Sequence, residues 1–148
     1  MTPKDELKQL LERVAEMCLD NVDKYGWHIP VCLAHSHSGE RIYVVADDPE
    51  KTDQDAYDYP GSVRSISHQV RKYIDEGKFR AIALAVNTTS TLVEEGKRFQ
   101  AKTVKIMLDH EAGGGYTAYL TYDMEEGKSV PGQIIYQELA ERFFSEKE

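Results

Sequence analysis

The segment 101–123 constrains the fold of this chain more than any other, because it has the pattern of a long β-hairpin. In its first arm Val104, Ile106 and Leu108 alternate with mostly polar residues, and this period of two is typical of a strand with one buried face. The second arm alternates in the same way and is rich in aromatic and β-branched residues, which favour strands. The glycines at 113–115 supply the positive φ angles of a tight turn. A strand follows them, which favours a plain turn over a phosphate-binding loop.

Composition indicates a globular chain and excludes several classes of partner. The 148 residues are 41% hydrophobic and 30% charged, which predicts one globular domain over 1–148, and the order of elements given below makes it an α+β domain. The formal charge of −8 argues against nucleic acid and against anionic membranes as partners. No apolar run reaches the ~20 residues of a membrane span, and the N-terminus lacks the layout of a signal peptide. Because Cys18 and Cys32 form no disulfide framework, we expect two buried thiols in a cytoplasmic protein.

The remaining elements follow from periodicity and from turn residues. Apolar residues repeated at three and four predict helices, whereas alternating or continuous short apolar runs predict strands. The predicted elements are a helix over Pro3 to Lys24, strands over 31–36 and 41–46, a helix over Ser62 to Glu76, a strand over 79–88 and a helix from about Gly132 to the C-terminal phenylalanines. The strand over 79–88 is apolar on both alternating sets, which is typical of a strand covered on both faces. Between these elements we expect an acidic loop over Asp47 to Pro60 and a polar connection over 89–100.

This order, α-β-β-α-β-β-β-α, predicts a single mostly antiparallel sheet of five strands. We expect the spatial order 2-1-5-4-3 with the helices on one face, because the apolar faces of the hairpin and the meander must be buried together. The topology is similar to that of roadblock, longin and profilin-like domains. The segments GWHIPVCLA, FRAIALAVNTT and VKIMLDHEAGGGYTAYLTY also resemble a family of small, uncharacterised bacterial α+β proteins. That resemblance implies neither an activity nor site residues.

The segment His35-Ser36-His37 is the strongest indication of a metal site. Two histidines at i and i+2 on a strand point to one face and can present two imidazoles to one metal. The segment resembles the start of the zinc-isopeptidase pattern of JAMM-type proteins, in which Asp48 would be the acidic ligand. The chain departs from that pattern at its proline and serine, so solvated histidines in a turn are the alternative. We do not expect His110 to join the site, because the predicted strand order puts His35 and His110 at opposite ends of the sheet.

A basic stripe on the second predicted helix is the candidate partner-binding surface. Arg64, His68, Arg71 and Lys72 lie opposite the apolar face of that helix, where they can dock an acidic partner or a phosphate group. No nucleophile motif and no cofactor motif is evident, so the leading hypothesis is an interaction domain without a catalytic role. It would form a homodimer, through a helix face or the edge of the second or third strand, or would bind another protein. The alternatives are a metal-dependent hydrolase that uses His35, His37 and Asp48, and a sensor with a small-ligand pocket between sheet and helix. The aromatic residues proposed to line that pocket are Trp27, Tyr43, Tyr116 and Tyr119.

Overall fold

The computed structural model describes residues 2–26, 28, 30–45 and 59–144, and within these ranges the chain forms helices and strands of an α+β fold. The elements are α1 (Pro3–Tyr25), β1 (Val31–His35), β2 (Arg41–Val45), α2 (Tyr59–Asp75), β3 (Ala81–Glu94), β4 (Lys97–His110), β5 (Tyr116–Glu125) and β6 (Lys128–Glu138). The predicted hairpins β1–β2 and β4–β5 and both predicted helices before β3 are confirmed. The predicted acidic loop over Asp47 to Pro60 lies largely outside the described residues.

All six strands form one antiparallel sheet in the order β2-β1-β3-β4-β5-β6. The predicted five-stranded sheet with the order 2-1-5-4-3 is therefore wrong. β3 lies between β1 and β4, in the middle of the sheet, because its residues 81–86 are buried on both faces. A strand that is apolar on both faces is stabilised most where neighbours cover it on every side. The edge strands are β2 and β6, so β3 offers no free edge along this stretch.

The two helices pack on opposite faces of the sheet, not on one face as predicted. Val14 of α1 belongs to a hydrophobic core with Ala83 of β3, whereas Ile66 of α2 belongs to a second core with Leu84. Consecutive residues of a strand point to opposite faces, so the alternating alanines of β3 meet α1 and its larger side chains meet α2. Neither helix of the described chain is long and apolar enough to cross a membrane.

Helix α1 begins at a capping box that fixes its first turn. The Thr2 hydroxyl accepts a hydrogen bond from the backbone N–H of Asp5 at 3.1 Å, and the Asp5 carboxylate accepts one from the backbone N–H of Thr2. Gly26 ends the helix with a φ of 82°, which glycine adopts without strain. This hydrogen-bonded first turn positions Glu6.

The C-terminal helix predicted from about Gly132 is wrong, because residues 128–138 form β6. Glu126 and Gly127 have φ angles of 51° and 79°, and positive angles at both central residues are typical of the type I′ turn that joins hairpin strands. The turn therefore returns the chain along β5. A similar turn at Glu95 and Gly96 joins β3 to β4, so the segment predicted as a polar connection is a continuation of these two strands.

Candidate functional site

A buried carboxylate lies at the centre of the main polar cluster on the α1 face of the sheet. The side chain of Glu6 is 5% exposed and accepts hydrogen bonds from three other side chains. His35 Nδ1 lies 2.6 Å from Oε2, Arg80 Nε and Nη2 lie 2.8 and 2.7 Å from the same oxygen, and His110 Nε2 lies 2.8 Å from Oε1. These four residues are called the Glu6 cluster below.

The strand order brings the two histidines of the Glu6 cluster together. β1 and β4 both run antiparallel to β3, so they run parallel to each other and end at the same end of the sheet. Ala81 pairs with His35 on one side and with His110 on the other. The prediction that these histidines lie at opposite ends of the sheet is therefore wrong. It failed because it placed β3 at an edge instead of between the two histidine-bearing strands.

Hydrogen bonds fix the protonation of the Glu6 cluster. His110 Nδ1 accepts a hydrogen bond from the backbone N–H of Ala112 at 3.0 Å, so Nε2 is the ring nitrogen that donates to Glu6. Burial raises the pKa of Glu6, but hydrogen bonds from Arg80, His35 and His110 outweigh it and lower the pKa to about 2. Glu6 is thus charged at neutral pH and balances the Arg80 guanidinium.

The Glu6 cluster is therefore a structural joint. Hydrogen bonds from three side chains already occupy the carboxylate, and a carboxylate with a pKa of about 2 is a poor general base at neutral pH. Arg80 also donates from Nη1 to the backbone carbonyl of His37 at 3.1 Å, and this hydrogen bond connects the Glu6 cluster to the β1–β2 turn. The cluster holds the start of α1 against the ends of β1 and β4.

The predicted metal ligands His35 and His37 contact different carboxylates. β1 ends at His35, and the side chain of His37 is 51% exposed in the turn, with Nε2 2.8 Å from Glu111 Oε2. In the part of the chain that the structure describes, no group of three or more His, Cys, Asp or Glu side chains is arranged to hold a metal. Asp48 lies outside that part. The site formed by His35, His37 and Asp48 therefore stays a prediction.

The basic stripe of α2 borders a groove of about 640 Å³ between this helix and the sheet, called the α2 groove below. Of the four predicted partner-binding residues, Arg64, His68 and Arg71 line it, whereas Lys72 is exposed outside its lining. The groove is also lined by Val86, Lys105, Met107 and Tyr119 of the sheet, and by Glu138, Glu141 and Phe143 near the C-terminus. The predicted stripe thus coincides with a concave site.

Strand register explains the floor of the α2 groove. Val86 pairs with Lys105, and Lys105 pairs with Tyr119, so these three side chains stand in a row on one face. α2 packs against β1 and β2, which lie at the far end of the strand order from β5 and β6. The helix therefore leaves the part of the sheet formed by β4 and β5 open to the groove.

The C-terminal residues 139–144 form a fixed wall of the α2 groove. The fully buried Asp109 carboxylate accepts hydrogen bonds from the backbone N–H groups of Phe143 and Phe144, at 2.8 and 3.1 Å. Arg71 donates to the backbone carbonyl of Arg142 at 3.0 Å, and its guanidinium lies 4.5 Å from the centroid of the Phe143 ring. Because both sides of the segment are held, the groove exists before any ligand enters.

The α2 groove carries positive charge that no ion pair among the described residues fully neutralises. Within the described ranges, Arg64, His68 and Lys105 have neither a hydrogen-bond partner nor an ion-pair partner for their side chains. Arg71 differs, since its Nη2 lies 3.5 Å from Glu141 Oε1. Lys105 Nζ lies 5.9 Å from the centroid of the Tyr119 ring. Cations without partners above an apolar floor attract an anionic group.

Comparisons with known proteins give no match. No family model, no curated protein and no solved structure matches this chain. The resemblance to small bacterial proteins therefore stays a prediction. The strand order departs from the one on which the similarity to roadblock, longin and profilin-like domains was based. The two sites themselves are the basis for an argument about function.

The four aromatic residues proposed to line a ligand pocket are at different places. Tyr119 lines the α2 groove, and Tyr43 lines a separate cavity of about 360 Å³ beside β2. Tyr116 lies on the α1 face, where its ring centroid is 5.8 Å from that of Tyr136. Trp27 lies outside the described residues. One of the four predicted aromatic residues therefore lines a groove between sheet and helix, and the predicted ligand pocket stays a prediction.

Sequence analysis missed the roles of Glu6, Arg80 and Asp109. One signal for Glu6 was available, because it lies four residues before Leu10 and eight before Val14, on the apolar stripe of α1. A charged residue on such a stripe indicates a buried ion pair. Arg80 and Asp109 have no comparable signal, since their partners come from distant parts of the chain.

Proposed function

We propose that this protein is a non-catalytic binding domain that holds a small organic ligand in the α2 groove. The observation that carries this proposal is the combination of a pre-formed groove of about 640 Å³ with two cationic side chains, Arg64 and Lys105, that have no ion-pair partner among the described residues. Small-molecule sites typically enclose roughly 300–1,000 Å³ and combine apolar walls with a few polar groups. The α2 groove has both properties. It corresponds to the sensor alternative of the sequence analysis.

The chemistry of the other reactive groups supports binding over catalysis. The Glu6 carboxylate is occupied by hydrogen bonds from His35, Arg80 and His110. Burial raises the pKa of the Cys32 thiol to about 12 and also raises that of Cys18, so neither supplies the thiolate that acts as a nucleophile. A metal-dependent hydrolase built on His35, His37 and Asp48 is the alternative with less support. Elemental analysis of the purified protein, with His37→Ala as the matched variant, tests it directly.

A thermal-shift screen tests the binding proposal, because a ligand that binds only the folded state raises Tm. The screen uses small organic acids, amides and alcohols against the wild type, the double variant Arg64→Gln/Lys105→Gln and Lys72→Gln. The double variant removes two cations of the groove, whereas Lys72→Gln removes one cation of the same helix outside it. We expect ligands whose Tm shift disappears in the double variant and persists in Lys72→Gln. If no compound shifts Tm, or if every Tm shift is the same in the double variant as in the wild type, the proposal is wrong.

A second candidate function is self-association through β6, the interaction role first expected from the sequence. β6 is an edge strand with exposed apolar side chains, since Val130, Ile134 and Tyr136 are 41%, 47% and 59% exposed. An edge strand offers unpaired backbone donors and acceptors. A second copy of the chain offers the same strand, so two β6 strands related by a two-fold axis can pair antiparallel and continue the sheet.

Sedimentation over a range of concentrations tests this second candidate. We expect a dimer in the wild type and a monomer in Ile134→Lys/Tyr136→Lys, because like charges at the centre of a two-fold interface repel each other. Tyr43→Lys on the other edge strand is the matched control and keeps the dimer. A wild type that is monomeric at every concentration, or a β2 variant that alone loses the dimer, contradicts pairing through β6.

A further inference from the structure

We infer that the ligand of the α2 groove is a planar organic monoanion, namely a carboxylate on an aromatic or otherwise flat apolar body, and that Glu141 sets this charge preference. The inference rests on the proposed function, because it names the chemical class of the ligand for the same groove. The flat apolar body follows from the residues at the floor of the groove. The single negative charge and the role of Glu141 follow from the charged residues that line it.

The floor of the α2 groove suits a flat apolar body. Tyr119 offers a partly buried ring, and Val86 and Met107 extend the apolar surface beside it. Aromatic rings pack face-on or edge-on against other flat groups, and methionine adapts its shape to them. Phe143 adds a second ring at the C-terminal wall, but Arg71 already covers it at 4.5 Å. A planar group therefore has its free contact surface on the Tyr119 side, next to Lys105.

The charges that line the α2 groove favour one negative charge on the ligand. Arg64, Arg71 and Lys105 are three permanent cations, and Glu138 and Glu141 are two carboxylates, so the lining carries a net charge of one positive when His68 is neutral. A monoanion neutralises this charge. A neutral ligand leaves it uncompensated, whereas a dianion brings excess negative charge close to the two carboxylates.

Glu141 competes with the ligand for Arg71. Its carboxylate lies 3.5 Å from the Arg71 guanidinium, while its side chain is 81% exposed. An exposed ion pair of this kind contributes little to stability, so a ligand can displace it easily. Replacing Glu141 by glutamine removes the carboxylate beside Arg71 and raises the net charge of the lining to two positive. The variant should therefore accept dianions that the wild type disfavours.

Isothermal titration calorimetry at pH 8 with three probes of the same ring system tests this. The probes are 2-naphthoate, neutral 2-naphthamide and 2-naphthyl phosphate, which is dianionic there because its second pKa is about 6. We expect the wild type to bind the naphthoate about tenfold more tightly than the other two. Glu141→Gln should tighten the phosphate several-fold and the naphthoate less. The control variant Glu12→Gln, an exposed position of α1 on the opposite face, should change neither affinity.

The outcomes separate this inference from the proposed function. Equal affinity for the three probes, or an unchanged charge preference in Glu141→Gln, overturns the inference. Naphthoate binding that survives Arg64→Gln/Lys105→Gln also overturns it, because the probe then binds elsewhere. If none of the probes binds while other compounds of the thermal-shift screen depend on the groove cations, the ligand class is wrong and the binding function stands. If the screen also yields nothing, both are wrong.

Discussion

Replacing Glu6 by glutamine should destabilise the fold by about 3 kcal/mol at pH 7. The pKa of Glu6 falls from the model-compound value of 4.5 to about 2, and each pKa unit corresponds to about 1.4 kcal/mol of preference for the charged form. The variant also leaves Arg80 without its carboxylate, and breaking one partner of a buried ion pair typically costs about 3–5 kcal/mol. Against a total stability of roughly 5–15 kcal/mol this loss is large.

Urea unfolding followed by circular dichroism measures the effect. Glu12→Gln is the matched control, since Glu12 is exposed on the same helix and its replacement should change the free energy of unfolding by less than about 0.5 kcal/mol. A loss below about 1 kcal/mol in Glu6→Gln would show that the cluster does not stabilise the charged carboxylate.

The same difference should depend on pH with a definite sign. Because the pKa of Glu6 is depressed in the folded state, its contribution is fully present above pH 4.5 and is lost as the pH falls towards 2. The difference in stability between wild type and Glu6→Gln should therefore be about 3 kcal/mol at pH 7 and about half of that at pH 3. A difference that stays constant between these two values would refute the electrostatic origin of the effect.

Three further predictions concern Asp109, Gly115 and Cys32. Asp109→Asn should weaken the hydrogen bonds to the backbone amides of residues 143–144 and cost about 1–3 kcal/mol, with faster hydrogen exchange at these two amides; unchanged exchange would contradict the role of Asp109. Gly115→Ala should cost about 1–3 kcal/mol in urea unfolding, because its Cβ would lie 2.6 Å from the carbonyl oxygen of Leu108, and a neutral effect would mean that the turn adjusts freely. Cys32 should resist iodoacetamide at pH 8 in the folded protein and react after unfolding, as mass spectrometry of the labelled protein would detect. Labelling of the native protein at the rate of a free thiol would contradict its burial.

Local elements were predictable from the sequence, whereas the order of the strands was not. The hairpin β4–β5 and the capped helix α1 depend on residues that are close in the chain, so periodicity and turn residues were sufficient. Strand order depends on contacts between distant segments. The sequence held one relevant signal, since the strand over 79–88 is apolar on both alternating sets. A strand with that pattern belongs in the middle of a sheet, and the predicted edge position conflicted with it.

The C-terminal segment shows how two periodicities compete in a short stretch. Ile135, Leu139 and Phe143 are spaced by four and fit one face of a helix. The turn at Glu126 and Gly127 decides otherwise, because it places the next residues alongside β5, where backbone pairing extends from 128 to 138. The signal was the Glu-Gly dipeptide between two extended segments. A tight turn directly after a strand predicts that an antiparallel partner strand follows it, and not a helix.

The two sides of the sheet differ in how their polar groups are satisfied, and this difference favours binding at one of them. Asp109 and His110 are adjacent in β4 and therefore point to opposite faces. His110 joins the Glu6 cluster on the α1 face, where one carboxylate accepts hydrogen bonds from three side chains, whereas Asp109 holds the C-terminal wall on the α2 face. The C-terminal end of β4 thus contributes to a fully hydrogen-bonded cluster on one face and holds one wall of the groove on the other. Arg64 and Lys105 on the groove side have no ion-pair partner within the described chain, and the groove that they line has space for a ligand.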